Sequence, residues 1–281
     1  MNLGIRGHDF ETRPLPELAQ VLKNNGLSSV QFVLKKSLPH LNADLGNLSP
    51  GIANHVRKTF AKHDIHISVL GCYFNMIHPD PAERRWGIER FKEHIRYVKD
   101  FGCSIVATET GNVNGDIIYT EENFKEAPFL EVVESVRELV AEAEKFGVIV
   151  GIEGGVNHPI HTPQKMKRLL DLIDSNNIQV VFDPVNYLTI DNYTKQEEVI
   201  QESFDLFGDR IAVFHAKDFK VEDNHVITTN VGQGLLNYEF IFSILKEKKP
   251  FIDIVMEETP EPFIEESLKF LRGLTPTGLK D

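Results

Sequence analysis

The sequence predicts a single α/β domain in which eight parallel strands alternate with helices and close into a barrel. Short apolar stretches recur along the chain, and four of them end in a polar residue: Glu153, Asp183, His215 and Glu257. These ends lie 30, 32 and 42 residues apart, about the length of one strand, one helix and two loops. Amphipathic segments with helix start and stop residues lie between them.

Four strand and helix units are predicted in the first half of the chain. The helices are preceded by cap residues or prolines such as Ser49 and Pro50, and three of them are stopped by Gly26, Gly102 and Gly147. The predicted strands are residues 3–5, 29–34, 65–70 and 104–108, and the predicted helices are residues 14–25, 49–62, 82–101 and 128–146.

Four further units follow in the second half. Thr162 is predicted to cap a helix that has Pro163 in its first turn. The predicted strands are residues 148–153, 178–183, 211–218 and 251–257. The predicted helices are residues 162–175, 195–207, 237–248 and 260–271, and a polar tail ends the chain.

Parallel neighbours in a sheet need helical crossovers, so eight alternating units favour a (β/α)8 TIM barrel. An open doubly wound sheet is the alternative, but it predicts a Gly-x-Gly-x-x-Gly turn after the first strand, and Gly4 and Gly7 do not form one. A chain of 281 residues is an ordinary length for one barrel. We therefore predict one domain over residues 1–281.

Composition narrows the class of protein further. No apolar run has the length of a transmembrane helix, and the first residues lack a basic region followed by an apolar core. Cys72 and Cys103 are too few for a disulfide framework, so we expect reduced thiols and a cytoplasmic protein with no membrane partner. The net charge of −12 argues against nucleic acid as a binding partner. Whether the protein forms a homo-oligomer is left open.

In a parallel barrel the carboxyl ends of all strands face one side, and alternate residues point inward. If Glu153, Asp183, His215 and Glu257 point inward, the residues two before them form a mostly apolar interior. Asp253 is the exception, and we place it near the solvated bottom of the barrel. Three converging carboxylates would repel one another without a cation, so we predict one divalent metal ion, Mn, Mg, Co or Zn, held by these four residues.

These motifs resemble those of the xylose-isomerase-like barrels, a family that includes sugar isomerases, ketose 3-epimerases, inosose dehydratase and endonuclease IV. Glu153 resembles the ligand glutamate that follows strand five in this family, and Asp183 resembles the aspartate of strand six. His215, in His-Ala-Lys-Asp, resembles the histidine of strand seven, and Glu257 resembles the glutamate of strand eight. The segment 232–238 resembles the glycine-containing segment before helix seven. The resemblance implies that Glu153 and Glu257 also serve as the acid and base pair.

One departure from the family pattern is informative. Many members have Asp-x-x-His after strand six, whereas this chain has Asp183-Pro184-Val185-Asn186. An amide is a poor ligand for a second or third metal ion but can hydrogen-bond a substrate hydroxyl. Asn186 and the acidic net charge therefore count against the endonuclease branch, which needs a multi-metal site and a basic surface.

The resemblance implies a sugar or sugar-phosphate isomerase or epimerase of carbohydrate metabolism, which transfers a proton through a metal-stabilised enediolate. Six further residues follow strands and are candidate substrate contacts: His8, Glu109, His158, Asn186, Lys217 and Asp218. Alternatives are an inosose-dehydratase-like lyase and a sugar-binding barrel without turnover. The sequence does not indicate which sugar is the substrate or whether it is phosphorylated. The amides of Gly232 and Gly234 are candidate donors to a phosphate group.

Overall fold

Eight parallel strands form a closed barrel in the computed structural model, which describes residues 1–274. The strands are β1 (Asn2–Arg6), β2 (Ser29–Phe32), β3 (His66–Gly71), β4 (Ile105–Glu109), β5 (Ile149–Glu153), β6 (Ile178–Phe182), β7 (Ile211–Ala216), β8 (Asp218–Glu222), β9 (His225–Thr229) and β10 (Asp253–Met256). Strands β1 to β7 pair in sequence order, and β10 closes the barrel between β7 and β1. Strands β8 and β9 form a separate two-stranded sheet.

Helices connect the strands, which confirms the predicted (β/α)8 class. They are α1 (Leu15–Asn24), α2 (Leu34–Ser37), α3 (Pro50–Ala61), α4 (Pro81–Tyr97), α5 (Glu126–Phe146), α6 (Pro163–Ile173), α7 (Gln196–Phe207), α8 (Tyr238–Lys248) and α9 (Ile264–Leu274). The polar tail lies largely outside the described residues, and the extent of the domain to residue 281 stays a prediction. None of the helices within residues 1–274 is long and apolar enough to cross a membrane.

The helix boundaries follow the local chemistry of the sequence. The Ser49 hydroxyl accepts a hydrogen bond from the Ile52 amide at 3.4 Å, and the Thr162 hydroxyl accepts one from the Lys165 amide at 3.3 Å. These bonds satisfy amides that have no partner inside the helix. Gly147, with φ of 59°, ends α5 in the left-handed conformation that glycine adopts without strain. The predicted caps of α3 and α6 are thus confirmed.

The hairpin β8–β9 corrects the prediction that residues 211–218 are one strand followed by a loop. Strand β7 ends at Ala216, and the chain starts a new antiparallel pair at Asp218. Asp223 and Asn224 turn the chain with φ of 47° and 61°. Two consecutive positive φ angles are typical of the tight turns that match strand twist, and Asp and Asn tolerate them. The hairpin leads directly to the glycines before α8.

Contacts inside the barrel test which residues of β5 and β6 point inward. A side chain added at Gly151 would lie 3.0 Å from the Ala107 Cβ and 3.1 Å from a Val181 methyl group. Gly151 and Val181 therefore point into the same interior, two residues before Glu153 and Asp183 respectively. This confirms the phase that carries those carboxylates to the top of the barrel.

Asp253 lies at the opposite end, as the sequence predicts. It is the first residue of β10, and its Oδ1 lies 3.0 Å from Nε2 of His66, the first residue of β3. Both side chains are partly exposed. The hydrogen bond to Asp253 raises the pKa of His66 above its usual value, although partial burial acts in the opposite direction.

We expect this pair to make stability depend on pH. A raised pKa means that the contribution is complete below the unfolded pKa of His66 and is lost as pH rises through the folded pKa. Between pH 6 and pH 9, the wild type should lose about 0.5 kcal/mol more unfolding free energy than His66→Gln, a value typical of partly exposed pairs. Urea unfolding at both pH values checks this, with His55→Gln at an exposed position of α3 as control. An equal change in unfolding free energy between pH 6 and pH 9 in His66→Gln and in the wild type would contradict this prediction.

Candidate active site

The carboxyl ends of four strands bring the predicted ligands together. Glu153 ends β5, Asp183 follows β6, His215 lies near the end of β7, and Glu257 follows β10. One ligand atom from each residue lies within 4.8 Å of the corresponding atom of every other residue, and all four residues are buried. The four side chains therefore form one compact cluster at the mouth of the barrel.

His215 lies at the centre of this cluster. Its Nδ1 is 2.7 Å from Glu257 Oε2 and 3.2 Å from Glu153 Oε1. Its other ring nitrogen, Nε2, donates to Gln31 Oε1 at 2.7 Å, and the Gln31 amide donates to the Tyr73 hydroxyl at 2.7 Å. A donor role for Nε2 leaves Nδ1 as the nitrogen that faces the carboxylates, which is the orientation found in metal-ligating histidines.

Two cations compensate the charge of Glu257. The Lys217 ammonium lies 3.1 Å from Glu257 Oε1 and 2.9 Å from Asp183 Oδ2, and it is buried. The Arg6 guanidinium lies 2.9 Å from the same Glu257 oxygen and also pairs with Asp9. Burial acts against the charge of Lys217, but Asp183 and Glu257 outweigh it and raise its pKa. Lys217 therefore stays protonated inside the site.

The two glutamates differ in their protonation. Burial raises the pKa of Glu153 to about 7, although the charge of His215 opposes it. Burial also acts to raise the pKa of Glu257, but Lys217 and His215 outweigh it and hold that pKa well below its usual value. For His215, burial lowers the pKa, whereas Glu153 and Glu257 raise it to about 10. Two carboxyl groups with divergent pKa values are typical of acid and base pairs.

The donor set fits a divalent cation. The Asp183 carboxylate accepts from the Val185 amide at 2.8 Å through Oδ1, whereas its buried Oδ2 lies 2.9 Å from the Lys217 ammonium and has no further polar partner within residues 1–274. An imidazole nitrogen and three carboxylates that converge within a few ångströms are ligands suited to Mn, Mg, Co or Zn. The identity of the ion does not follow from these ligands.

Asn186 connects two members of the site. Its amide donates to Glu153 Oε1 at 2.9 Å, and its carbonyl oxygen accepts from Lys217 at 2.9 Å. The predicted substrate amide therefore holds a glutamate and an ammonium in this structure. Asn186 therefore helps to fix the orientation of Glu153.

Three other predicted substrate residues surround the mouth. Glu109 is the partner of Glu153 in the pairing of β4 with β5, and its Oε2 lies 3.8 Å from Nε2 of His158. The ring of His158 is buried, and its Nδ1 bonds to the Gly111 carbonyl at 2.8 Å. His8 follows β1, and burial and the nearby Arg6 lower its pKa to about 3. Its buried Nδ1 has no hydrogen-bond partner within the described residues.

Asp218 serves the loop that follows the hairpin. It is buried, and its two carboxylate oxygens accept from the amides of Phe219 at 2.8 Å and of Gly232, Gly234 and Leu236 at 3.0 Å each. Four internal hydrogen bonds use the carboxylate completely. We therefore infer that Asp218 organises this loop and does not contact the substrate.

Gln31, Tyr73 and Arg6 contact the cluster or its partners, yet they are not among the predicted site residues. Gln31 could have been found, because it is a polar residue between the apolar residues Val30 and Phe32 of a predicted strand. Arg6 ends β1 in the same way as the other site residues end their strands. Tyr73 lies in a loop, and no sequence pattern indicates its position.

Comparison with known proteins identifies the family. The model of the xylose isomerase-like TIM barrel family matches residues 19–274, so the chain belongs to this family. No curated protein sequence matches it. This result agrees with the resemblance inferred from the ligand motifs.

Solved structures share the fold at low sequence identity. D-psicose 3-epimerase with D-tagatose from Clostridium cellulolyticum H10 has a TM-score of 0.74 and 17% identity, over 98% of this chain and 99% of that chain. The IOLI protein with a binding zinc atom has a TM-score of 0.74 and 17% identity, over 98% and 96%. The probable 3-DHS dehydratase AsbF from Bacillus anthracis has a TM-score of 0.75 and 13% identity, over 97% and 99%.

We expect Asp218→Ala to lower the free energy of unfolding by about 3 kcal/mol, because buried amides lose a charged acceptor. Asp218→Asn, which keeps one oxygen acceptor, should lose less. Chemical denaturation measures both, with Glu247→Ala on the exposed side of α8 as control. A loss for Asp218→Ala no larger than the control would show that the loop does not depend on this carboxylate.

Proposed function

We propose that the protein is a divalent-metal-dependent isomerase or epimerase of a sugar or sugar phosphate. The observation that carries the proposal is the placement of Glu153 and Glu257, whose buried carboxylates approach the same nitrogen, Nδ1 of His215, at 3.2 Å and 2.7 Å. Such a pair is suited to removing a proton from a carbon beside a carbonyl and returning it. The family and its epimerase-like neighbours support a small sugar as substrate.

The metal would be held by Glu153, Asp183, His215 and Glu257. When bound, it supplies positive charge that stabilises negative charge on the substrate oxygens. The Gln31 carbonyl supports this arrangement, because it accepts the Nε2 proton of His215 and leaves Nδ1 directed at the carboxylates. A metal-binding neighbour, the IOLI protein with its zinc atom, is consistent with such a site.

The two glutamates have different starting roles. Glu257 contacts two cations, Lys217 and Arg6, whereas Glu153 receives the neutral amide of Asn186, so one of the two carboxylates would remove the proton and the other would return it. Asn186 keeps Glu153 oriented through its amide. Returning the proton to the opposite face of the same carbon gives epimerisation, and returning it to the neighbouring carbon gives isomerisation.

A dehydratase is a second candidate, and Lys217 is the observation that favours it. Its buried ammonium lies 3.1 Å from Glu257 and keeps its positive charge. A fixed positive charge there would stabilise the negative charge that develops on a departing hydroxyl oxygen, which epimerisation does not require. Product analysis separates the two reactions, because dehydration of a keto-polyol gives an unsaturated or dicarbonyl chromophore and epimerisation does not.

The metal site is tested by elemental analysis of the purified protein. We expect about one divalent ion per chain in the wild type and less than a tenth of that in His215→Ala or Asp183→Ala, because each variant loses a ligand. His225→Ala, at an exposed position in the hairpin, is the matched control and should keep the wild-type content. A metal-free wild type after addition of Mn, Mg, Co and Zn would refute the site.

Proton transfer is tested by deuterium exchange from solvent into ketose substrates, followed by NMR. We expect Glu153→Gln and Glu257→Gln each to slow exchange by at least about a hundredfold, as loss of an acid or base does. Glu258→Gln changes the neighbouring, half-exposed carboxylate that also pairs with Arg6, and it should keep most of the exchange. Retained exchange in Glu257→Gln would exclude the proposed role. Absence of exchange in the wild type with every polyol sugar would favour a binding protein.

A further inference from the structure

A cavity opens near the cluster around His215, at the same end of the barrel. It has a volume of about 300 Å³ and lies among the segments that follow β2, β3 and β4 and the first half of α4. Val33, Phe74 and Gly87 provide part of an apolar wall. Small-molecule sites are concave, with an apolar lining and a few polar groups that converge, and this cavity has that character.

The charged residues of the cavity are mostly basic. Lys35, Lys36 and Arg90 line it together with a single carboxylate, Glu83. This excess of positive charge contrasts with the net charge of −12 of the whole chain. Lys35 has a distant partner, Asp44 at 3.8 Å, whereas no ion pair of Lys36 is found within residues 1–274. A local positive field in an acidic protein favours an anionic ligand.

Arg90 is the strongest indication of such a ligand. Only 7% of the residue is exposed, yet no carboxylate of the described chain lies within ion-pair distance of its guanidinium. One terminal nitrogen donates to the Tyr73 carbonyl at 2.5 Å, and the guanidinium lies 5.1 Å from the Trp86 ring. Its buried Nε has no hydrogen-bond partner in the part of the chain that the structure describes. A buried arginine without a counterion is costly unless a ligand supplies the negative charge.

The cavity is connected to the proposed active site. Tyr73 lines the cavity, and its hydroxyl accepts from Gln31, which in turn bonds to His215. The Lys36 ammonium lies 5.2 Å from the Tyr73 ring and is close enough to His8 to lower the pKa of that histidine. Two side chains, Tyr73 and Gln31, therefore lie between the basic cavity and His215.

The other candidate anion site does not compete with this cavity. The amides of Gly232 and Gly234, which the sequence offers to a phosphate, both donate to Asp218 at 3.0 Å. Those donors are already used inside the loop. Lys36 and Arg90, which have no carboxylate partner within residues 1–274, are the cationic donors that remain for the oxyanion of an anionic substrate.

We propose that this cavity binds the anionic group of the substrate, a phosphate or carboxylate, through Lys36 and Arg90. The substrate of the proposed reaction is then an anionic sugar, either a sugar phosphate or a sugar acid. Naming the substrate rests on the proposed function, whereas anion binding in the cavity does not.

Calorimetric titration with inorganic phosphate tests binding without turnover. We expect Lys36→Met and Arg90→Met each to weaken phosphate binding at least tenfold, and Lys246→Met on the exposed side of α8 to leave it unchanged. Circular dichroism verifies folding, and Lys36, which is exposed, decides the test if the Arg90 variant is unstable. Phosphate binding that Lys36→Met does not weaken, or no binding at all, would overturn the proposal.

Solvent deuterium exchange identifies the source of the anion. D-fructose, D-fructose 6-phosphate and 2-keto-D-gluconate are compared in the wild type and in Lys36→Met. We expect one of the two charged compounds to exchange with at least tenfold higher kcat/KM than the neutral sugar, and Lys36→Met to remove that advantage. Equal rates for neutral and charged sugars would refute the anionic substrate and leave the isomerase proposal intact. Phosphate binding without any exchange would refute the isomerase proposal alone.

Discussion

The contact of one imidazole with two buried glutamates determines most of the active-site structure. Glu153 and Glu257 both approach Nδ1 of His215, which can face them because Nε2 donates to Gln31. Carboxylates brought this close and away from water are unfavourable unless positive charge or hydrogen-bond donors accompany them. Neighbouring residues at the mouth of the barrel supply those partners.

The partners are distributed unequally between the two glutamates, and this difference separates their pKa values. Arg6 and Lys217 both contact Glu257, whereas Glu153 receives the neutral amide of Asn186. The first carboxylate is therefore held ionised, and the second keeps a pKa of about 7. Similar residues on neighbouring parts of one barrel thus acquire different proton affinities from their surroundings alone.

Charge is also divided between two regions of the same rim. Carboxylates cluster around His215 at the carboxyl ends of β5, β6 and β10, whereas Lys36 and Arg90 lie in the segments that follow β2 and β3. Tyr73 and Gln31 separate the two regions and link them by hydrogen bonds. An acidic centre next to a basic cavity is an arrangement suited to a ligand that carries oxygen donors at one end and an anion at the other.

The sequence by itself determined the barrel and indicated which four side chains converge at its mouth, because strand and helix periodicity and the polar strand ends are local features. It also indicated the caps of α3 and α6, which depend on residues a few positions apart. The hairpin after β7 escaped detection, although Asp223-Asn224 marks its turn. Only the tertiary structure decided that Asp218 binds its own loop, that Asn186 holds Glu153, and that Gln31 orients His215. Those contacts join residues up to 184 positions apart, and their geometry exists only after the barrel has closed.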